Sequence, residues 1–542
     1  MRRKVINALP LSGGRANLKN MLSWFKKNYL LISIILIGVI IRFLFLLKYG
    51  DFWHDEFFSF IYSQKAWPQG LSYWLWETNP PLHLLILKLW FFIFPANEFW
   101  ARIPSLIFGT STIISVYFLA KLIWNKNVAL LSAFFISLHS INIFWSATAR
   151  VYSLLMLLSS LSVYYFYKIF FFDSHKKRDK IFLGIITTLL LLSHLSAILL
   201  IFTQAIIIFA INRQKFFKWL KINLIPFIIA GSWLIPSFLL KQNNELEKTW
   251  LLNLYYDFWS AGKPLINIIA GVHYYNLGFF IISILIALVF IISILRIKKS
   301  DLKYTGILTI IIIPIIITLL FGIWHVKMLL YTLPFWVILI AYSINKISPN
   351  KIIAGWIIFS FCLIGIINIF ALVPLTSWEE TSTIIKNQWS EEENTILIYN
   401  NFFLYNQINS CLKLPFTTQA FDLAREPNMS WDELITQKNY LYLYFSETEI
   451  DNWFIEKNLN QYDKIFLLQG EYDYATLLNQ VLEKNNFIPL IDGILRPGQE
   501  SVRIGGPAKS GTTQKDKIRL PIIGKHYLYT YVKDDQTTST IQ

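Results

Sequence analysis

The sequence predicts a polytopic α-helical membrane protein with a C-terminal soluble α/β domain, and three observations carry that prediction. The 542 residues are 55% hydrophobic, 17% aromatic and only 15% charged, with a mean hydropathy of +0.47, far from the balance of a soluble globular chain. Apolar runs of spanning length recur from residue 30 to residue 372. Composition then changes: residues 376–542 carry 22 of the 33 acidic residues.

The chain opens on a basic segment, 1–29, with Arg2, Arg3, Lys4, Arg15, Lys19, Lys26 and Lys27. Its start looks like a signal n-region, but no small-residue cleavage site follows the first apolar run, so that run is expected to be an uncleaved first span. Spans are expected near 30–48, 103–121, 128–145, 151–172, 181–195, 196–211, 219–240, 277–295, 304–323, 328–345 and 351–372. A further run, 82–94, is too short to cross roughly 30 Å of hydrocarbon at about 1.5 Å per residue.

Charge decides what the short run does. With the N-terminus cytoplasmic, a crossing at 82–94 would put every later basic cluster outside: Lys121/Lys126, 176–178, 213–221, 296–303 and Lys346/Lys351. If 82–94 instead lies in the outer interface, all five fall inside, as the positive-inside rule prefers. About eleven transmembrane helices plus an outer interfacial helix are therefore expected, with 49–102, 146–150, 241–276 and 324–327 outside. The C-terminal domain, 375–542, falls on the same outer side. There, strand-like runs at 395–399, 440–445, 464–468 and 527–532 alternate with helix-like ones at 381–389, 431–437 and 474–484, a soluble α/β pattern.

Composition also excludes some classes. The net charge of +16 sits in short clusters between apolar runs, which is the positive-inside pattern and not a nucleic-acid footprint. Cys362 and Cys411 lie in unlike surroundings and give no disulfide framework. There is no Walker lysine loop, no GxGxxG after a strand, no HExxH and no CxxC, so no nucleotide or other soluble cofactor is expected.

The residues that could carry chemistry collect in the outer segments. Only 11 acids precede residue 375, and five of them are Asp51, Asp55, Glu56, Glu77 and Glu98. Ionisable groups beside hydrocarbon are costly and default to a functional reading. Asp55, where the first span leaves the bilayer, is a candidate general base; the plainer alternative is a salt bridge that ties the loop down. Glu56 either tunes or orients its neighbour or bonds backbone. The two adjacent carboxylates could coordinate a divalent cation, although no third ligand is evident and no metal site is assigned.

Asn79-Pro-Pro-Leu-His83 suits the first turn of the interfacial helix, with His83 toward the outer leaflet as a candidate substrate contact. Glu98 and Arg102 stand one helical turn apart, a spacing that is usually structural. Arg150 and Tyr152 place a cation and a phenol at an outer helix end, where arginine suits phosphate and snorkelling is the alternative. Lys327 is the only cation between the ninth and tenth spans and reads as a lipid phosphate site or a snorkelling side chain. His194, at an apolar join, is a packing residue or a ligand.

Taken in order, Trp53-His-Asp-Glu56, Asn79-Pro-Pro-Leu82, Glu98 to Arg102-Ile-Pro-Ser105, Ala149-Arg-Val-Tyr152, Ser193-His194 and Lys327 to Pro334 resemble the membrane glycosyltransferases of the GT-C fold. The resemblance is to the bacterial relatives of the dolichyl-phosphate-mannose protein mannosyltransferases and lipid A aminoarabinose transferases, and it covers roughly residues 30–375. It implies Asp55 as base, Glu56 as second carboxylate, and Arg102, Arg150 and Lys327 as contacts to the phosphate of a polyprenyl-phosphate sugar. His83, Tyr152 and His194 are further candidate substrate contacts. The implied reaction transfers a sugar to an acceptor hydroxyl on a protein, lipid or glycan, with inversion, at the outer face of a cell (inner or plasma) membrane. A transporter or lipid-linked sugar flippase is the alternative; it would place ionisable residues near the midplane on broken helices.

Overall fold

A chain in hydrocarbon must satisfy its backbone polar groups within each segment, so the apolar runs become helices. In the computed structural model the described residues are 13–52, 54–241, 265, 268–269, 302–321, 323, 325–347, 378–399, 414–420, 447–469, 480–489, 502–504 and 526–533. The helices are α1 (Gly13–Lys48), α2 (His54–Gln64), α3 (Gln69–Trp76), α4 (Leu82–Trp90), α5 (Glu98–Ile123), α6 (Lys126–Leu138), α7 (Ser140–Ser146) and α8 (Tyr152–Phe170). They continue as α9 (Lys177–Leu191), α10 (Ala197–Ile211), α11 (Arg213–Lys241), α12 (Leu302–Leu320), α13 (Val326–Leu329) and, after one 3-10 turn, α14 (Leu333–Ile347).

Among the described residues, six stretches are long and apolar enough to cross a membrane: Asn28–Lys48, Glu98–Ile123, Tyr152–Phe170, Arg213–Lys241, Lys303–Leu320 and Val326–Lys346. The pair α6 and α7, bent by 59°, makes a seventh if counted as one span. The expected spans at 181–195 and 196–211 are instead two helices of 15 residues each. At about 1.5 Å per residue each is roughly 22 Å long, short of the hydrocarbon thickness. The expected spans at 277–295 and 351–372 lie outside the described residues.

The 49–102 segment, read from sequence as a loop with one interfacial helix, folds into α2, α3 and α4. Helix α4, at nine residues, is too short to span. It starts on Pro81, and its Leu82 N–H donates to Leu192 O at 2.9 Å. That bond ties the outer segment to the break between α9 and α10. Asn97 caps α5 by accepting from Trp100 N–H at 3.0 Å, with Glu98 in the first turn where the helix dipole favours an acid.

A buried core of side chains from α1, α5, α6, α7, α8, α12 and α14 fixes how these helices approach one another. The tightest approach is between α5 and α7: a Cβ on Gly109 would stand 1.8 Å from Ser146 Oγ and 2.7 Å from Ser146 Cβ. A serine side chain is too short to swing away, so Gly109→Ala must push the helices apart. The expected result is a loss of about 1–3 kcal/mol, read as a lower thermal midpoint of the purified protein. An unchanged midpoint would mean that the two helices are not packed this closely.

Among the described residues the C-terminal part contains α15 (Trp378–Gln388), α16 (Glu447–Glu456) and six strands: β1 (Thr395–Tyr399), β2 (Thr417–Ala420), β3 (Lys464–Gln469), β4 (Phe487–Pro489), β5 (Val502–Ile504) and β6 (His526–Lys533). The sheet order is β2-β1-β3-β6-β4, with β5 also on β6. Strands β2, β1 and β3 run parallel, and β6 is antiparallel to β3, β4 and β5. Alternation places Ile396, Ile398, Ile465 and Leu467 on one face, where they pack with Trp453 and Phe454 of α16. The mixed α/β class was therefore readable, whereas β2, β4, β5 and α16 were not anticipated. The expected elements at 431–437 and 440–445 lie outside the described residues, as does most of 474–484.

Candidate active site

Two adjacent carboxylates leave the first turn of α2 in different directions, because neighbouring positions on a helix point about 100° apart. Glu56 is fully buried. Its Oε1 accepts from Arg102 Nε and its Oε2 from Arg102 Nη2, both at 2.9 Å, and Oε1 also accepts from Ala149 N–H at 2.7 Å. Arg102 Nη1 donates to Gly50 O at 2.8 Å, and its guanidinium lies over the rings of Tyr49 and Phe52 at 4.5 and 5.2 Å. Arg102 thus joins α5 to the end of α1 and the start of α2 in a two-pronged, desolvated ion pair.

Asp55 faces the other way. Its side chain is 22% exposed, and its Oδ2 lies 2.8 Å from Lys327 Nζ. Lys327 is positioned by a local cap, since His325 Nδ1 accepts from Lys327 N–H at 3.1 Å at the start of α13. Arg150, in the turn between α7 and α8, donates through Nη1 to Asp55 O at 2.9 Å and to Ser59 Oγ at 2.8 Å. Its Nη2 lies 3.6 Å from Glu77 Oε1. Burial alone would lower the Arg150 pKa, but Asp55 and Glu77 outweigh it and hold the guanidinium charged.

Three further candidates line the same region. Tyr152 opens α8 with its ring centroid 6.0 Å from Lys327 Nζ, 4.1 Å from the ring of Trp145 and 5.6 Å from that of His194. His194 Nδ1 accepts from Ser196 N–H at 3.1 Å and meets Ser196 Oγ at 2.8 Å, so the neutral ring carries its proton on Nε2. His83, in the first turn of α4, is buried, and among the described residues its Nε2 has no partner. Burial first, and the positive charge of Arg150 second, lower its pKa to about 3. It is a neutral imidazole at pH 7.

The candidates read from sequence therefore converge but divide into two groups. Asp55, Lys327, Arg150 and Tyr152 surround one partly open point, while Glu56 and Arg102 consume each other beneath it. Both Glu56 oxygens are engaged, so Asp55 and Glu56 do not form a chelating pair. Among the described residues no group of three or more His, Cys, Asp or Glu side chains is placed to hold a metal ion. Sequence reading passed over Glu77, Ser59 and the Ala149 N–H. Glu77 had a signal, being one of the few acids in the outer segment and two residues before Asn79-Pro80; the other two had none.

A sequence profile described as dolichyl-phosphate-mannose-protein mannosyltransferase matches residues 78–235, the stretch that carries Arg102, Arg150 and Tyr152. The fold is similar to that of ArnT from Cupriavidus metallidurans bound to undecaprenyl phosphate, at a TM-score of 0.53 and 10% identity over 86% of this chain and 96% of that one. It is also similar to the archaeal oligosaccharyltransferase AglB from Archaeoglobus fulgidus, in complex with an inhibitory peptide and a dolichol-phosphate. That likeness has a TM-score of 0.50 and 12% identity over 86% of this chain and 73% of the other. The chain has the GT-C fold, and the profile match over residues 78–235 supports a glycosyltransferase. Structural likeness at this identity carries the fold alone. No curated protein sequence matches the chain significantly. Within this GT-C fold the acidic turn after the first span, the α7–α8 turn and the α13 cap are the three places from which the candidate site is built.

Proposed function

We propose that this GT-C glycosyltransferase moves a sugar from a polyprenyl-phosphate donor to an acceptor hydroxyl, with Asp55 as general base. The observation that carries the reading is the meeting of Asp55 with two cations at the mouth of α2, Lys327 on its carboxylate and Arg150 on its backbone carbonyl. The two similar structures hold undecaprenyl phosphate and dolichol-phosphate, which supports a lipid phosphate as the leaving group. Asp55 takes the acceptor proton as the acceptor oxygen bonds the anomeric carbon. The bond from that carbon to the phosphate oxygen breaks through an oxocarbenium-like state, and the lipid phosphate leaves with the electron pair. Attack opposite the leaving group inverts the anomeric carbon.

Lys327 is shared in this scheme. A donor phosphate draws its ammonium away from Asp55 Oδ2, so that charge on the leaving group is met and the base is released for the acceptor in one event. Arg150 holds the Asp55 backbone and presents the second cation. Arg102, first expected on the donor phosphate, is here assigned to holding Glu56 and the α1–α2 junction. The positive-inside pattern of the basic loops supports a cytoplasmic N-terminus, with the site and the 375–542 domain on the outer face of the cell membrane.

The test is donor consumption by the purified protein in lipid nanodiscs supplied with a polyprenyl-phosphate hexose. Absence of turnover with every monophosphate donor would overturn the proposal. Lys327→Ala is expected to raise the KM for that donor about tenfold or more, the equivalent of roughly 1.4 kcal/mol or above. An unchanged KM would remove Lys327 from the phosphate site.

A further inference from the structure

A further buried cation lies away from the site. Arg42 is fully buried within α1, and among the described residues no carboxylate pairs with it. Its Nη1 donates to Gly38 O and to Ser137 O, both at 2.9 Å. Its Nη2 donates to Ile136 O at 3.0 Å and to Asn142 Oδ1. Two of these acceptors are carbonyls of the last turn of α6, which have no continuing helix to pair with, because His139 turns extended at φ −69°, ψ 114°. The third long-range acceptor is on α7. The guanidinium therefore closes the C-terminal end of one helix, where the dipole favours a cation, and grips the next. Gly38 makes the room: a Cβ there would stand 2.5 Å from Ile113 Cδ1 and 3.2 Å from Arg42 Nη1.

The 59° bend that Arg42 spans aims α7 at the site. Beyond it, Ser146 packs on Gly109, Thr148 Oγ1 bonds Trp145 O at 3.1 Å, and Ser105 Oγ bonds Arg150 O at 3.2 Å. The arm then ends in the Ala149 N–H on Glu56 and the Arg150 guanidinium on the Asp55 backbone. We infer that Arg42 is a positioning residue: by latching the α6–α7 break it sets where the 147–150 turn delivers Ala149 and Arg150 to the two carboxylates. Lysine is a poor substitute, because one ammonium cannot reach the α6 carbonyls and Asn142 together as a planar fork does.

The inference rests in part on the proposed transfer reaction, so its test has one arm that does not. In full-length protein in nanodiscs, Arg42→Met is expected to speed amide hydrogen exchange about tenfold or more over 140–151 while 98–123 stays protected. Arg42→Lys should fall between Arg42→Met and the unaltered protein. Asn142→Ala, which removes only the link to α7, should loosen 140–151 and leave 126–138 unchanged. It decides the matter if Arg42→Met is not recovered folded. In the transfer assay the folded Arg42→Met protein should lose about 10- to 100-fold in kcat, as a displacement of about 1 Å does, with donor KM within about threefold. Unchanged exchange over 140–151, or an unchanged kcat per folded molecule, would overturn the latch. If the unaltered protein consumes no polyprenyl-phosphate sugar, the transfer reading falls and the exchange measurements alone judge Arg42.

Discussion

Asp55→Asn is expected to lower kcat for sugar transfer about a thousandfold, within the usual span of about 10²–10⁴ for a positioned general base. Asparagine keeps the volume, and its amide oxygen can still accept from Lys327 at the 2.8 Å that the carboxylate uses. The backbone carbonyl that Arg150 grips is unaltered. The substitution therefore removes proton affinity and little else, so donor KM should stay within about threefold. Asp55→Glu restores the carboxylate but moves it by about one methylene, and a misplacement near 1 Å costs up to about a hundredfold. Activity in the order Asp, then Glu, then Asn is the expected result of single-turnover donor consumption. Equal turnover by Asp55→Asn and the unaltered protein would end the assignment of the base.

That Asp55 was worth testing was legible in the sequence for an energetic reason: an acid at a span exit is costly, and few acids precede residue 375. Lys327 stood out likewise, as an isolated cation between two apolar runs. How Asp55 and Glu56 divide their roles was not legible. Glu56 finds its partners 46 and 93 residues away, and Asp55 finds Lys327 272 residues away. Arg102 illustrates the same limit, since its helix-turn neighbour Glu98 was the visible partner and the distant Glu56 is the one it forks onto. The bend at His139 was hidden because 128–145 contains no Gly or Pro to mark a break. Arg42 was hidden because a cation inside an apolar run carries no sign of what it will cap. Strand β2, Thr417–Ala420, lacks the apolar alternation by which strands are read.

The largest effect on stability is expected at the ion pair beneath the site. Arg102→Met leaves the Glu56 carboxylate in a position of 0% exposure with only the Ala149 N–H of the bonds described above. Breaking one side of a buried pair typically costs about 3–5 kcal/mol. Glu56→Leu, which strands the guanidinium, should cost a similar amount. The double replacement should recover much of the loss, because an apolar pair of similar volume is often neutral or better than a buried ion pair. Thermal unfolding of the two singles and the double gives the coupling, and strictly additive losses would show that the two side chains do not act as a unit. Kinetics on the same proteins separates holding the fold from binding the donor. The double variant still lacks the bonds to Ala149 N–H and Gly50 O, so the α1–α2 junction loosens and kcat should remain low while stability returns. Donor KM should be nearly unchanged, because in the proposed scheme the phosphate is met by Lys327 and Arg150. A tenfold rise in KM for Arg102→Lys, which keeps the charge and loses the fork, would return Arg102 to the phosphate.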